Sequence, residues 1–222
     1  MINLVATRQT SGMPAELLRW YNDHVNLLMR FEGLMGATLY RCIQPAAPLD
    51  APEYVCLYRF ASQAAFAAFE ASPAKELARE ITASGWGQHG IEIVQRSQYP
   101  LGGKWTGQAG LQQAPSISHI QCLNLAGSQG DTRRWLADSL YLAANAQASL
   151  ASVRHYQWHS SPLADNQQQV VVLASLSSPD TAWHTWWQAA GTQSHGQAWG
   201  DAPSAIEVVW QAGYKCLCEW QR

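Results

Sequence analysis

The sequence repeats itself at a nearly constant offset, and this repeat limits the possible folds more than any other feature. Ile91–Val94 matches Ile206–Val209 at a shift of 115 residues (206 − 91), and Trp20 matches Trp135 at the same shift. Tyr40 is answered by Tyr156 at a shift of 116. Similarity at a fixed period indicates one structural unit that occurs twice.

We therefore predict two domains, residues 1–110 and 111–222, joined by the segment around 107–115, which is rich in Gly and Gln. Apolar alternation predicts strands, and apolar residues spaced three and four apart predict helices. In the first unit the predicted strands are 2–8, 37–43, 53–60 and 91–99, and the helices are 14–30 and one that begins after Ser62. In the second unit the strands are 117–125, 152–159, 169–176 and 206–212, and the helices begin at Asp131 and Ser178.

The order of elements, β-α-β-β-α-β in each unit, is that of the ferredoxin-like fold of the α+β class. Two helices on one face of a four-stranded sheet leave its other apolar face uncovered, so the two sheets should cover each other within one chain. We expect the tails 99–105 and 214–220 to pair with the opposite unit. A monomer, or a weak homodimer, follows from this arrangement.

Composition excludes several classes of partner. The net charge of −2 favours neither nucleic acid nor an anionic membrane as a partner. No apolar run approaches the roughly 18 residues that a membrane span needs, and no signal peptide opens the chain, so we expect a cytoplasmic protein. The five cysteines lack the spacing of a disulfide framework or of a complete zinc site.

His24 is the first candidate for chemistry. Leu17, Tyr21, His24 and Leu28 step by four, three and four, so they share one face of the predicted helix. Imidazole can act as an acid or a base near neutral pH. The alternative is a core histidine bonded to a backbone carbonyl. The equivalent position in the second unit is Ser139, so a site built on His24 would occur once.

Other candidates lie on strands and in one loop, and each also has a purely structural interpretation. Tyr40 and Tyr58 could bond a substrate oxygen or simply pack, and Arg41 could bind a carboxylate or lie at a solvated edge. Trp86 and His89 belong to a Gly-rich loop that could form a pocket mouth or a plain turn. No motif predicts a nucleotide or a metal, and we predict no cofactor, although haem with a histidine ligand stays open.

Several segments together resemble a known family. They are Leu18–Val25, Phe31-Glu32-Gly33, Leu39-Tyr40-Arg41, Tyr54–Phe60 and Phe66–Ser72. This pattern is similar to the EthD-like branch of the dimeric α/β-barrel superfamily, with Glu32-Gly33 where that branch has Pro-Gly. The resemblance covers most of residues 1–105 and implies an intramolecular dimeric α/β barrel. It also implies an apolar pocket beside the Trp-Tyr-x-x-His helix.

Two functions are therefore open. The first is an enzyme acting on an apolar, aromatic or polyketide-like molecule, as a cofactor-independent oxygenase, isomerase or cyclase. In it His24 moves a proton, Tyr21 or Tyr40 assists, and the substrate contacts Trp20, Tyr58, Arg41, Trp86 and His89. The second is a protein that binds a small molecule without turnover, or a haem-binding member of the superfamily.

Overall fold

A computed structural model of the chain describes residues 1–45, 51–84, 90–107, 117–126, 150–157, 169–176 and 205–222. The helices and strands in these ranges are, in chain order, β1 (Ile2–Gln9), α1 (Pro14–Leu28), β2 (Leu34–Pro45), β3 (Tyr54–Phe60), α2 (Gln63–Glu70), α3 (Pro73–Ser84), β4 (Ile91–Tyr99), β5 (Leu101–Thr106), β6 (Ile117–Ala126), β7 (Leu150–Gln157), β8 (Gln169–Leu176) and β9 (Ala205–Gln221). The described chain is thus of the predicted α+β class.

The described helices begin where their sequences favour a start. Pro14 opens α1, and the Glu16 carboxylate accepts a hydrogen bond from the Met13 N–H at 2.7 Å. Ser62 caps α2 by accepting from the Ala65 N–H at 3.0 Å. The helix predicted after Ser62 is confirmed as α2, and Pro73 begins a further helix, α3, which was not predicted from the sequence. Proline has no backbone N–H, so inside a continuous helix it would remove one backbone hydrogen bond.

The nine strands of the described residues belong to one sheet, in the order β4-β1-β3-β2-β9-β6-β8-β7-β5. Each of these strands pairs antiparallel with its neighbours. The register recurs along the chain: Leu4 pairs with Leu57, and Ile120 pairs with Leu173, so both partners move by 116 (120 − 4, 173 − 57).

The predicted exchange of tails is confirmed by the strand pairing. β5, which begins directly after Pro100, pairs with β7 of the other half. β9 is a single 17-residue strand whose first part pairs with β6 and whose last part pairs with β2. The predicted strand 206–212 was therefore too short. Each half of the sheet is held to the other by backbone hydrogen bonds.

One face of the sheet packs against itself. A single core cluster combines buried residues of both halves, among them Leu4, Tyr40, Tyr99, Ile120, Tyr156 and Tyr214. Gln95 of β4 bonds Cys122 of β6 at 3.6 Å, although five strand spacings separate these strands in the sheet order. A flat sheet would place them about 24 Å apart, at roughly 4.8 Å per spacing. The sheet is therefore strongly curved around this interior.

The opposite face of the first half is covered by the described helices. A second core cluster places Leu17, Tyr21 and Val25 of α1 against Tyr54 and Tyr58 of β3. This layer, between the outer face of the sheet and the helices, is where a cavity forms.

Several predicted features lie outside the described residues: the helices expected to begin at Asp131 and Ser178, and the loop that contains Trp86 and His89. None of the helices in the described ranges combines the length and the apolar character that crossing a membrane requires.

Removal of residues 215–222 should destabilise the fold, because this segment pairs with β2 and Trp220 donates to the Asn22 side chain at 3.3 Å. A loss of several kcal/mol lowers the melting temperature by about 10 °C or more in a chain of this size. Scanning calorimetry measures it, with removal of residues 221–222 alone as the control. An unchanged melting temperature in the longer deletion would show that the pairing with β2 contributes nothing to stability.

Candidate functional site

A cavity of about 450 Å³ lies between the outer face of β1 and β4 and the helices α1 and α3. Its walls are mainly apolar and aromatic, with a few polar and charged groups. The residues that line it include Asn3, Thr7, Trp20, Tyr21, His24, Tyr58, Phe69, Lys75, Arg79, Thr82 and Arg96. This is a volume in the range of small-molecule sites.

Helix α1 supplies one wall through its predicted face. Tyr21, His24 and Leu28 all line the cavity, while Leu17 and Val25 anchor the helix in the core beside them. The Tyr21 hydroxyl lies 3.0 Å from the Thr7 hydroxyl of β1, so the two groups satisfy each other. Burial raises the pKa of Tyr21 well above its ordinary value. Tyr21 is thus a neutral hydrogen-bonding group and not a base.

His24 is held by two neighbours. The Trp20 ring stacks on the imidazole at a centroid distance of 4.9 Å. The Thr82 hydroxyl lies 3.5 Å from Nδ1 and donates its own proton to the Ala78 carbonyl at 2.9 Å. Since the Thr82 proton is already used, Nδ1 must be the donor in the contact with His24. The basic lone pair then resides on Nε2.

The surroundings keep His24 uncharged. Burial, and secondarily the positive charge of Lys75, lower the pKa of His24 to about 4. At neutral pH the imidazole is therefore a proton acceptor, and its protonated form is disfavoured by both effects. Among the described side chains, only Thr82 bonds His24, so Nε2 remains available to a molecule in the cavity.

The polar side chain of Asn3 lies at the floor of the cavity. Asn3 is 5% exposed, and its side-chain oxygen has no hydrogen-bond partner among the described residues. Asn3 pairs across the sheet with Tyr58, whose hydroxyl is also buried and whose pKa burial raises strongly. A buried acceptor without a partner costs free energy, and such groups are often found where a ligand binds.

The charged groups that line the cavity are all cationic: Lys75, Arg79 and Arg96. The Glu70 carboxylate bonds Lys75 at 3.3 Å and Arg96 at 2.9 Å, so one anion serves two cations. Within the described ranges, no group of three or more His, Cys, Asp or Glu side chains could hold a metal ion.

The structure brings together four of the residues singled out from the sequence: Trp20, Tyr21, His24 and Tyr58. Tyr40 lies on the other face of the sheet, in the interior cluster, where burial raises its pKa to about 12. Arg41, the next residue of β2, is exposed and does not line the cavity. Trp86 and His89 lie outside the described residues.

Sequence reasoning missed Asn3, Thr7, Lys75, Thr82 and Arg96. A signal existed for the first two, because Asn3 and Thr7 interrupt an otherwise apolar strand and lie on one face at even spacing. The other three come from a helix and a strand that only the fold brings to α1.

No protein-family model matches the sequence, and no curated protein matches it. Solved structures do match over nearly the whole chain. An anthrone oxidase-like protein has 12% identity and a TM-score of 0.61, over 98% of this chain and 92% of the other. A candidate monooxygenase from Fusobacterium nucleatum has 10% identity and a TM-score of 0.62, over 100% and 94%. A DypB variant from Rhodococcus jostii in complex with haem has 8% identity and a TM-score of 0.57, over 97% and 92%.

At such low identities the likeness establishes the fold alone.

Replacing the unpaired amide should stabilise the protein. We expect Asn3→Leu to raise the free energy of unfolding by about 1–3 kcal/mol, because the desolvated oxygen is removed at nearly constant volume. Chemical denaturation measures it. Asn26→Leu, on the exposed side of α1, is the matched control and should change stability by less than about 0.5 kcal/mol. A loss of stability in Asn3→Leu would mean that this oxygen is satisfied.

The protonation of His24 should depend on folding. Its folded pKa lies below the unfolded value of 6.5, so the unfolded chain binds more protons between about pH 6.5 and 4, and stability falls as pH drops through that window. Nitrogen-detected NMR should show a neutral Nδ1–H tautomer at pH 7. In urea the midpoint should return to about 6.5. A folded midpoint near 6.5 would contradict the buried environment. His155, whose pKa burial also lowers to about 4, titrates in the same window and must be assigned separately.

Proposed function

We propose that this protein is a small-molecule enzyme of the EthD-like branch, in which His24 removes a proton from an apolar, enolisable substrate. The observation that carries the proposal is a neutral imidazole in an apolar cavity, with Nδ1 bonded by Thr82 and Nε2 without a protein partner among the described residues. Such an imidazole can accept a proton at Nε2, and with a pKa of about 4 it holds the resulting charge only briefly.

The enolate that forms can react in two ways without a cofactor. Reprotonation at another carbon gives an isomer, and attack on molecular oxygen gives an oxygenated product. The names of two structural neighbours, an anthrone oxidase-like protein and a candidate monooxygenase, support the second route. Tyr21 and Thr7 would orient the substrate, since their mutual hydrogen bond keeps both hydroxyls fixed.

Anthrone illustrates the balance of the oxygen route. His24 takes one proton from the methylene carbon, and the carbanion transfers electrons to oxygen as the new C–O bond forms. The peroxide accepts a proton and then loses water across its O–O and C–H bonds. One anthrone and one oxygen molecule thus give one anthraquinone and one water, and His24 ends the cycle neutral.

We also propose that the chain arose by tandem duplication into units 1–110 and 111–222, folded as an intramolecular barrel. The repeated register supports this, because Cys216 pairs with Tyr40 as Leu101 pairs with Tyr156, at shifts of 115 (216 − 101) and 116 (156 − 40). Trp210 bonds Gln95, its own counterpart at 115, at 2.7 Å, as residues near a pseudo-twofold axis would. The outermost strands of the sheet order, β4 and β5, are joined through Pro100 alone, which favours closure.

A haem protein is the second candidate, since one structural neighbour is a haem complex. The lining of the described cavity contains the types of side chain that haem requires. His24 would be the iron ligand, and Lys75 or Arg96 would pair with the propionates. A bound haem would supply redox chemistry with peroxide or oxygen. A Soret band in protein purified from haem-supplemented cells, lost in His24→Ala, would favour this candidate over the first.

The test of the proposed function is turnover of anthrone as a probe substrate. Oxygen uptake and anthraquinone absorbance should exceed the buffer rate, and His24→Ala should lower kcat/KM by roughly two to four decades. His155→Gln is the matched control, because His155 is another buried histidine but does not line this cavity, so its rate should stay within about twofold. Equal rates in wild type and His24→Ala would remove His24 from the reaction.

Deuterium exchange separates the two routes. Exchange at the methylene of anthrone in D₂O without oxygen uptake would indicate isomerase-type chemistry. Binding of anthrone with neither exchange nor uptake would contradict catalysis and favour a binding protein.

A further inference from the structure

The cavity has two chemically different ends, and strand pairing fixes their positions. Asn3, Val5 and Thr7 point to the same side of β1, and Val5 pairs with Arg96 of β4. Asn3 is two residues from Val5, so its side chain lies roughly 7–8 Å diagonally from that of Arg96. A molecule of one or two fused rings spans such a distance.

The Asn3 end calls for a ligand hydroxyl. The Asn3 oxygen is buried and has no partner in the part of the chain that the structure describes, whereas the nearby Thr7 and Tyr21 hydroxyls already bond each other. A hydroxyl on the ligand would satisfy the carboxamide, because it can both donate and accept. An apolar ligand edge would leave the desolvation cost of this oxygen in place.

The other end calls for an anion. Lys75, from the first turn of α3, lies 5.6 Å from the Phe69 ring centre and shares the Glu70 carboxylate with Arg96. Both cations are about three-quarters buried, with side-chain exposures of 24% and 26%. A partly desolvated cation pair of this kind binds carboxylates well.

We propose, on the basis of the proposed function, that the substrate is a largely apolar, enolisable aromatic molecule that carries a hydroxyl and a carboxylate. Its hydroxyl bonds Asn3, its carboxylate lies between Lys75 and Arg96, and its ring packs between Trp20, Tyr58 and Phe69. This orientation places the ring beside His24, which stacks on Trp20.

Calorimetric binding of three naphthalene probes to the full chain tests the proposal. 6-Hydroxy-2-naphthoate carries both groups, 2-naphthoate lacks the hydroxyl, and 2-naphthol lacks the carboxylate. We expect the first to bind about fivefold or more tightly than 2-naphthoate and about tenfold or more tightly than 2-naphthol. The preference for the carboxylate should shrink as salt is raised.

Variants assign each preference to its residue. In the Lys75→Met variant, 6-hydroxy-2-naphthoate should bind no more tightly than 2-naphthol does to the same variant. Asn3→Leu should make it bind no more tightly than 2-naphthoate, with the affinity for 2-naphthoate unchanged. Lys104→Met, at an exposed position of β5, is the charge-matched control and should leave all three affinities within about twofold.

The proposal is overturned if 2-naphthol binds as tightly as the hydroxy acid, if the variants do not remove the preferences, or if none of the probes binds at millimolar concentration. These outcomes are distinct from failure of the proposed function, because equilibrium binding requires no proton transfer. Tight, Lys75-dependent binding with no His24-dependent turnover of anthrone would preserve the ligand class and reject anthrone oxidation as the reaction of this site.

Discussion

The structure depends on the burial of one sheet face against itself. A four-stranded sheet with helices on a single side leaves an apolar face in water, and no small unit can leave such a face exposed. Here the two halves of the chain cover each other, and residues such as Leu4 and Ile120 meet in one cluster. Strand β9 makes this arrangement continuous, since it pairs with β6 at one end and with β2 at the other. The backbone ladder and the interior therefore form together.

Among the described residues, the cavity that could hold a ligand lies on the outer face of the sheet, under helices α1 and α3. That location explains the state of His24. A histidine on a helix is ordinarily solvated, but here the sheet below and Trp20 beside it remove water, and the pKa falls to about 4. The same enclosure leaves the Asn3 oxygen without a partner. A group that lowers stability in the empty protein is what a binding site requires, because the cost is recovered when a ligand bonds it.

Much of the fold could be predicted from the sequence, since the repeat and the alternation of apolar residues are local patterns. The strands around 54–60, 91–99 and 169–176 could be predicted from these local patterns alone. The face of each strand was harder to assign. Tyr40 and Tyr58 are both tyrosines on predicted strands, yet Tyr40 lies in the interior and Tyr58 lies beside the cavity. The face of the sheet to which each side chain points depends on the register with neighbouring strands. His24 was found because a helical face is a local pattern. Lys75, Thr82 and Arg96 were not, because α3 and β4 meet α1 only through the tertiary fold.

The charges of the site and the basicity of His24 are coupled. Lys75 contributes to the lowered pKa of His24 by repulsion, after the larger contribution of burial. A carboxylate bound between Lys75 and Arg96 would offset that repulsion, while burial would continue to act. The imidazole would then stay neutral at pH 7 but become a stronger base than in the empty cavity. A ligand without the carboxylate would occupy the same space beside a weaker base. In the proposed enzyme, selectivity for an acidic substrate would therefore arise in the proton-transfer step as well as in binding, and Lys75 would link the two.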